Sequence, residues 1–271
     1  MSEAAALRLE LGERARAYAA IQSLPHSISH EPEATVCFEP FGERFHGNFH
    51  PASYKMIQAH PEWRRRLRKV HTTAKRFLPV TDRGRWRELD SCMSSDALLM
   101  NVFCHPSVLR NPRLAAALVV EQGEIPQFGV RARVPLGGDK FDQTEVDMRV
   151  GNLLVEAKLT EGDFQSAEKI RLLKYRDFLE VFEDESLTQS EKRYHSYQLI
   201  RNVLAAWAMR CSMCVLLDAR RPDLMEAWYA VMRCVRPIGL RTECKVLTWQ
   251  ELSRMLPRTL RGFLAVKYGI A

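Results

Sequence analysis

Residues 144–159 constrain this chain more than any others. Thr144–Val150 and Leu153–Leu159 are β-rich runs divided only by Gly151-Asn152. A Gly-Asn pair between two such runs signals a two-residue hairpin. With the turn tip at those two residues, Asp147 faces Glu156 and Glu145 faces Lys158. Directly opposed residues have Cβ atoms ~4.5–5.5 Å apart, and alternate residues of a strand share a face. One face of the hairpin therefore collects Asp147, Glu156, Lys158 and Glu145, while Val146, Met148, Val155 and Ala157 pack the other.

Two carboxylates opposed across a hairpin repel unless a cation compensates them. A divalent metal meets that need: Asp147 and Glu156 offer the hard oxygen ligands that Mg²⁺ or Mn²⁺ takes alongside water and substrate phosphate. Lys158 on the same face can orient or help deprotonate an attacking water and counter charge in the transition state. The chemistry implied is metal-assisted hydrolysis of a phosphodiester. The plainer alternative is an exposed cross-strand ladder in which Asp147 and Glu156 pair with Arg149 and Lys158. The apolar flanks of LLVEAKL argue against fully solvated charge there.

The surrounding pattern gives the order of elements. Ser94–Phe103 and Pro112–Gln122 have helical spacing, and the period changes at Gln127. Phe128–Leu136 alternates as a half-buried strand and precedes the hairpin. Ala167–Phe182 and Tyr194–Met209 return to helical spacing, Met213–Ala219 is a buried strand, Asp223–Val235 a helix and Cys244–Leu247 a last strand. Thr248 with Glu251 three residues on forms a capping box for one more helix. The order is helix, three strands, helix, strand, helix, strand, helix, an α/β arrangement.

Charge is concentrated rather than spread. Residues 61–87 hold ten basic and two acidic side chains, a net of +8 against +7 for the whole chain. Trp63, Leu67, Val70, Ala74 and Phe77 fall on one helical face, which leaves Arg64, Arg65, Arg66, Arg68 and Lys69 on the other. Such a face is either merely solvated or a surface for the phosphates of a nucleic acid.

Other features narrow the class. The longest apolar runs, Leu114–Val120 and Val203–Met209, are far short of the ~20 residues that span a bilayer. The acidic N-terminal stretch fits neither a secretory nor a transit signal, so a cytoplasmic location is expected. Seven cysteines form no dense disulfide framework, and Cys211-Ser-Met-Cys214, inside an apolar run, reads as core rather than as a redox or zinc motif. His46 and His50 flank Gly47 and Asn48 in an irregular, aromatic-rich stretch, a weak arrangement for a metal site.

Asp147-x8-Glu156-Ala157-Lys158 on a hairpin flanked by helices resembles the PD-(D/E)xK nuclease superfamily, the restriction-endonuclease-like fold. The segments SSDALLMNVF, YQLIRNVLAAWA and FLAVKYGIA are similar to a bacterial subgroup of it, so the resemblance covers roughly residues 36–271. It implies a core of order αβββαβ with a mixed central sheet, Mg²⁺-dependent cleavage of DNA, Asp147 and Glu156 as metal ligands and Lys158 in catalysis. It also implies an acid from the helix before the first strand, for which Glu121 is the first candidate with Glu124 and Asp96 behind it. A polar residue is implied from the helix after the motif, best matched by Gln198. Val146 stands where the motif's proline would be.

The expected organisation is an N-terminal extension over residues 1–90, helical and irregular, followed by a nuclease-like core over 91–271. The expected partner is nucleic acid, DNA before RNA, with self-association into a homodimer allowed and no membrane. A nucleic-acid-binding protein that keeps the nuclease fold without turnover is the second reading, and a structural interaction module the third.

Overall fold

The computed structural model describes residues 1–29, 34–42, 44–70 and 86–271. It divides into two compact units, one comprising Met1–Ala117, Glu121–Glu124 and Trp249–Ala271, the other Leu118–Val120 and Ile125–Thr248. This division falls elsewhere than at residue 90. Residues 91–117 and 249–271 join the N-terminal residues because their bonds run there: Cys92 N–H donates to Val36 O (2.9 Å), Asn111 Nδ2 to Met255 O (2.6 Å), and Lys267 Nζ to Asn48 O (3.0 Å).

Among the described residues of the first unit, helices of nine residues or more are α1 (Glu3–Ile21), α2 (Pro51–Ala59), α3 (Ser95–Phe103) and α6 (Arg258–Tyr268). Leu7, Leu11, Ala15 and Ala19 recur every four residues and form the buried stripe of α1. Ser94 caps α3 by accepting the Ala97 N–H at 3.1 Å. Residues 36–60 hold more regular structure than their composition predicts, namely the strand Val36–Phe38 and α2. His46 and His50 do not converge as a metal pair: His46 bonds Asp90, whereas His50 Nδ1 accepts the Ala52 N–H at the start of α2.

The second unit is built on a five-stranded sheet of β1 (Gln127–Arg131), β2 (Glu145–Val150), β3 (Leu153–Ala157), β4 (Ser212–Leu217) and β5 (Cys244–Thr248), in spatial order β5-β4-β3-β2-β1. The first three strands are antiparallel neighbours, and β4 and β5 add in parallel to β3 and β4. Parallel neighbours need crossovers, and α4 (Tyr197–Met209) and α5 (Pro222–Met232) lie in these. β3 is buried at every position, as an interior strand between two ladders requires. Cys211 and Cys214 are both buried core residues, and all seven cysteines are free thiols.

Three sequence expectations fail for one reason, the diversion of backbone hydrogen bonds to distant partners. The single helix over Ala167–Phe182 is instead a strand, Ser166–Glu168, and two single turns, Lys169–Leu172 and Phe178–Val181. Between them Lys174 O accepts the Gly137 N–H (2.8 Å) and Arg176 N–H donates to Pro135 O (3.1 Å), so these groups cannot serve a continuous helix. Likewise the helix expected from Tyr194 starts at Tyr197, because Arg193–His195 pairs with Ser166–Glu168. The strand over Phe128–Leu136 breaks after Arg131, and Val134–Pro135 pairs with Phe141–Asp142 instead. No helix among the described residues is long and apolar enough to cross a membrane.

Candidate active site

The hairpin forms in the register that its turn dictates. Gly151 takes φ +53°, and Val150 pairs with Leu153, Arg149 with Leu154 and Met148 with Val155. The ladder ends there. One step further, the Ala157 N–H donates not to backbone but to Asp147 Oδ2 at 2.8 Å. The carboxylate of Asp147 thus replaces a ladder acceptor beside Glu156, where the two strands part.

Glu156 and Lys158 share one face and are almost fully removed from solvent, 3% and 4% exposed. Glu156 Oε1 lies 2.9 Å from Lys158 Nζ, and Oε2 accepts from Asn202 Nδ2 at 2.8 Å. Burial opposes the Lys158 charge, but the carboxylates of Glu156, Glu161 and Asp147 outweigh it and hold the ammonium above its ordinary pKa. The exposed ladder with Arg149 is not what forms: Arg149 Nε donates to Gly151 O (3.0 Å), within the turn. Val146, Met148, Val155 and Ala157 are all buried, as the alternation predicts. Glu145 is exposed, and its carbonyl accepts from Arg201 Nη2 at 3.0 Å.

α4 supplies the rest of the site. Its first N–H groups are satisfied by the preceding loop, Tyr197 N–H by Gln165 O (3.0 Å) and Gln198 N–H by Phe164 O (2.9 Å). Gln198, Arg201 and Asn202 stand at i, i+3 and i+4 and so share a stripe of that helix. Arg201 Nη2 also donates to Asn202 Oδ1 at 2.6 Å, which fixes the amide so that its NH₂ points to Glu156. Arg201 is 3% exposed, yet its Nε and Nη1 have no hydrogen-bond partner among the described residues; the buried Gln198 Oε1 has none either. Asn202 and Arg201 were the residues sequence reasoning missed. Their signal was a polar pair between Leu199-Ile200 and Val203-Leu204, since polar groups in an apolar helix must find partners.

Arg221 secures the segment that follows Lys158. It is fully buried, donates through Nη1 to Glu161 O (2.6 Å) and through Nη2 to Gly162 O (3.0 Å), and is anchored bidentately on Asp223 (2.9 and 2.7 Å). Glu161 in turn caps its own loop, Oε2 accepting the Leu159 N–H at 2.7 Å.

The other candidate acids belong to the first unit. Glu121 and Glu124 belong to the first unit, where Glu121 is exposed. Asp96, also in that unit, is committed to Arg66 (2.8 Å) and Lys69 (3.0 Å).

The basic run splits in the same way. Pro61–Arg66 is helical with Trp63 buried beneath it, and Arg64, Arg65 and Arg68 are exposed. Arg66 and Lys69 turn inward to Asp96, and Lys69 also to Glu88 (3.0 Å). Ala74 and Phe77 of the expected helix face lie outside the described residues.

A model of the family described as restriction endonuclease associating with ARP matches residues 16–269. The chain belongs to that family. The match spans both units, so the hairpin residues and the basic run fall within one restriction-endonuclease family domain model. No curated protein and no solved structure matches the chain.

Proposed function

We propose that this member of the restriction-endonuclease family is a metal-dependent nuclease that hydrolyses phosphodiester bonds, in DNA first, at the PD-(D/E)xK-like hairpin of β2 and β3. The observation that carries the reading is the buried Glu156–Lys158 pair at 2.9 Å beside Asp147, at the point where the ladder opens. A buried ion pair contributes little net stability, because desolvating both charges costs about what their attraction returns. Its place at the end of a hairpin, tied by Asn202 and Arg201, accords with a chemical role.

The donor set suits a hard divalent cation. Asp147 and Glu156 would hold Mg²⁺ or Mn²⁺, whose coordination is commonly completed by water and substrate phosphate rather than by further protein ligands. Among the described residues no group of three or more His, Cys, Asp or Glu forms a site of its own. Bound there, the metal would supply Lewis-acid polarisation of the phosphate and a more acidic water. Lys158, kept as an ammonium by three carboxylates, orients the attacking water and offsets charge gathering on the phosphate oxygens. Asn202 holds Glu156 in place, and Arg201 holds Asn202. Gln198, whose Oε1 is buried and without a partner, is the further polar residue from this helix. In the first unit, among the described residues of the basic run, Arg64, Arg65 and Arg68 are left to meet phosphates, since Arg66 and Lys69 are paired internally.

The second reading, a protein that binds nucleic acid without cutting it, draws on the engagement of both Glu156 oxygens by Lys158 and Asn202. Incubation with linear, circular and single-stranded DNA in Mg²⁺, Mn²⁺ or EDTA separates the two. Cleavage that needs the metal and is lost in Lys158→Ala supports the nuclease. Binding with no cleavage in either metal establishes the second reading instead.

A further inference from the structure

We infer that the first unit carries a separate pocket for a phosphomonoester of nucleotide size, gripped by Arg64, Arg68 and Arg87. The proposal goes beyond the nuclease reading and stands without it. A cavity of about 550 Å³ is lined by these three arginines together with His46, Asp90 and Tyr54, among others. That volume is in the range of small-molecule sites, roughly 300–1,000 Å³, and far exceeds a bare oxyanion.

The charges around it are asymmetric for a structural reason. Arg66 and Lys69 spend theirs on Asp96 and Glu88, whereas the guanidinium groups of Arg64 and Arg68 have no acid partner among the described residues. Arg87 is tied to the same segment: its Nη1 donates to Arg68 O at 3.2 Å, and Val70 and Arg87 form a β-bridge. The acid in the described lining, Asp90, is buried and already bonded. His46 Nε2 lies 3.0 Å from its Oδ1, and the Arg87 N–H donates to Oδ2 at 3.2 Å. His46 Nδ1 accepts the Asn48 N–H at 3.1 Å, which leaves Nε2 to donate to Asp90. Among the described lining residues there are thus three arginines against one carboxylate.

That surplus selects the ligand. A phosphomonoester brings close to two negative charges and three terminal oxygens, enough for several guanidinium forks, whereas an internal phosphodiester or a carboxylate brings one charge and two oxygens. The remaining space, walled by Leu67, Pro40 and the Tyr54–Gln58 pair (Nε2 to Oη 2.7 Å), takes the organic group that bears the phosphate. Two sources share this chemistry, the phosphorylated end of a nucleic-acid strand and a free nucleoside monophosphate.

Binding to the full chain in EDTA tests the proposal, with fluorescent single strands of one sequence bearing a 5′-phosphate or a 5′-hydroxyl, and with AMP by calorimetry. The expected result is about tenfold tighter binding of the phosphorylated strand, the effect of one added charge-assisted hydrogen bond, or measurable AMP binding. Preference for the strand end alone or binding of AMP alone identifies the source. Arg64→Gln/Arg68→Gln should abolish either effect. Arg65→Gln, on the same helix but outside the lining, should weaken both strands alike through a lost backbone-phosphate contact and so keep their ratio and any AMP binding. All three side chains are exposed, so unchanged thermal midpoints are expected. Equal affinity for the two strands together with no AMP binding overturns the pocket, as does an undiminished effect in the double variant. EDTA removes cleavage from the measurement, so failure here leaves the nuclease reading intact, and a failed cleavage assay leaves this one intact.

Discussion

At the residue scale, the division of labour between Asp147 and Lys158 is testable because their surroundings differ. Asp147 is half-buried and accepts the Ala157 N–H, whereas Lys158 is buried against Glu156. Lys158→Ala leaves Glu156 buried without its cation, a loss expected to cost ~3–5 kcal/mol in metal-free buffer. Mn²⁺ should restore part of that stability, since a cation held by Asp147 and Glu156 takes over the compensation. The variant should lose cleavage while retaining Mn²⁺ affinity in calorimetry; Asp147→Ala should lose both. Denaturant titration with and without Mn²⁺ supplies the stability half of the measurement. Equal loss of metal binding in the two variants would show the roles to be wrongly divided.

At the element scale, the hairpin depends on its turn. Gly151 sits at φ +53°, where an L-residue with a Cβ is strained by ~1–2 kcal/mol. Asn and Asp tolerate that region better than other residues, because their short polar side chains can bond locally. Gly151→Ala should therefore lower unfolding free energy by about 1–2 kcal/mol, and Gly151→Asn by less. Urea denaturation of the three proteins gives the order. Identical midpoints would mean that the turn does not set the register, which would instead be held by the burial of Met148, Val150, Val155 and Ala157 on one face. α4 is the complementary case, an element whose polar stripe has purpose only once β3 is beside it.

At the scale of the whole molecule, the excess charge lies in residues 61–87, and among the described basic side chains of that window Arg64, Arg65 and Arg68 are exposed whereas Arg66, Lys69 and Arg87 are partly buried. Each phosphate neutralised on duplex DNA contributes about −0.9 to the slope of log affinity against log salt. Arg65→Gln/Arg68→Gln should flatten that slope by roughly 2 and weaken every DNA sequence alike, because phosphate contacts carry no base information. Arg66→Gln should behave differently. Its guanidinium holds the buried Asp96, so the change should lower stability while leaving the salt slope nearly as it was. Anisotropy titrations across a salt series, paired with thermal melts, distinguish the two classes. If both variants leave the slope unchanged, the nucleic acid meets another surface.

The amino-acid sequence by itself determined what local chemistry can determine. The Gly151-Asn152 turn and the alternation around it set the register of β2 and β3, and with it the placement of Glu156 and Lys158 on one face. The apolar run of β4 and the capped start of α3 were equally local. Tertiary structure alone decided the rest. Asn202 meets Glu156 across 46 positions of chain, and Arg66 meets Asp96 across 30. Neither pairing has a periodic signature, because period reports which side of an element is apolar and not which distant side chain will face it. The helix expected over Ala167–Phe182 broke for the same reason. Its spacing was helical, but the backbone groups of Lys174 and Arg176 found partners at Gly137 and Pro135, and a buried peptide group bonds wherever the fold places its complement.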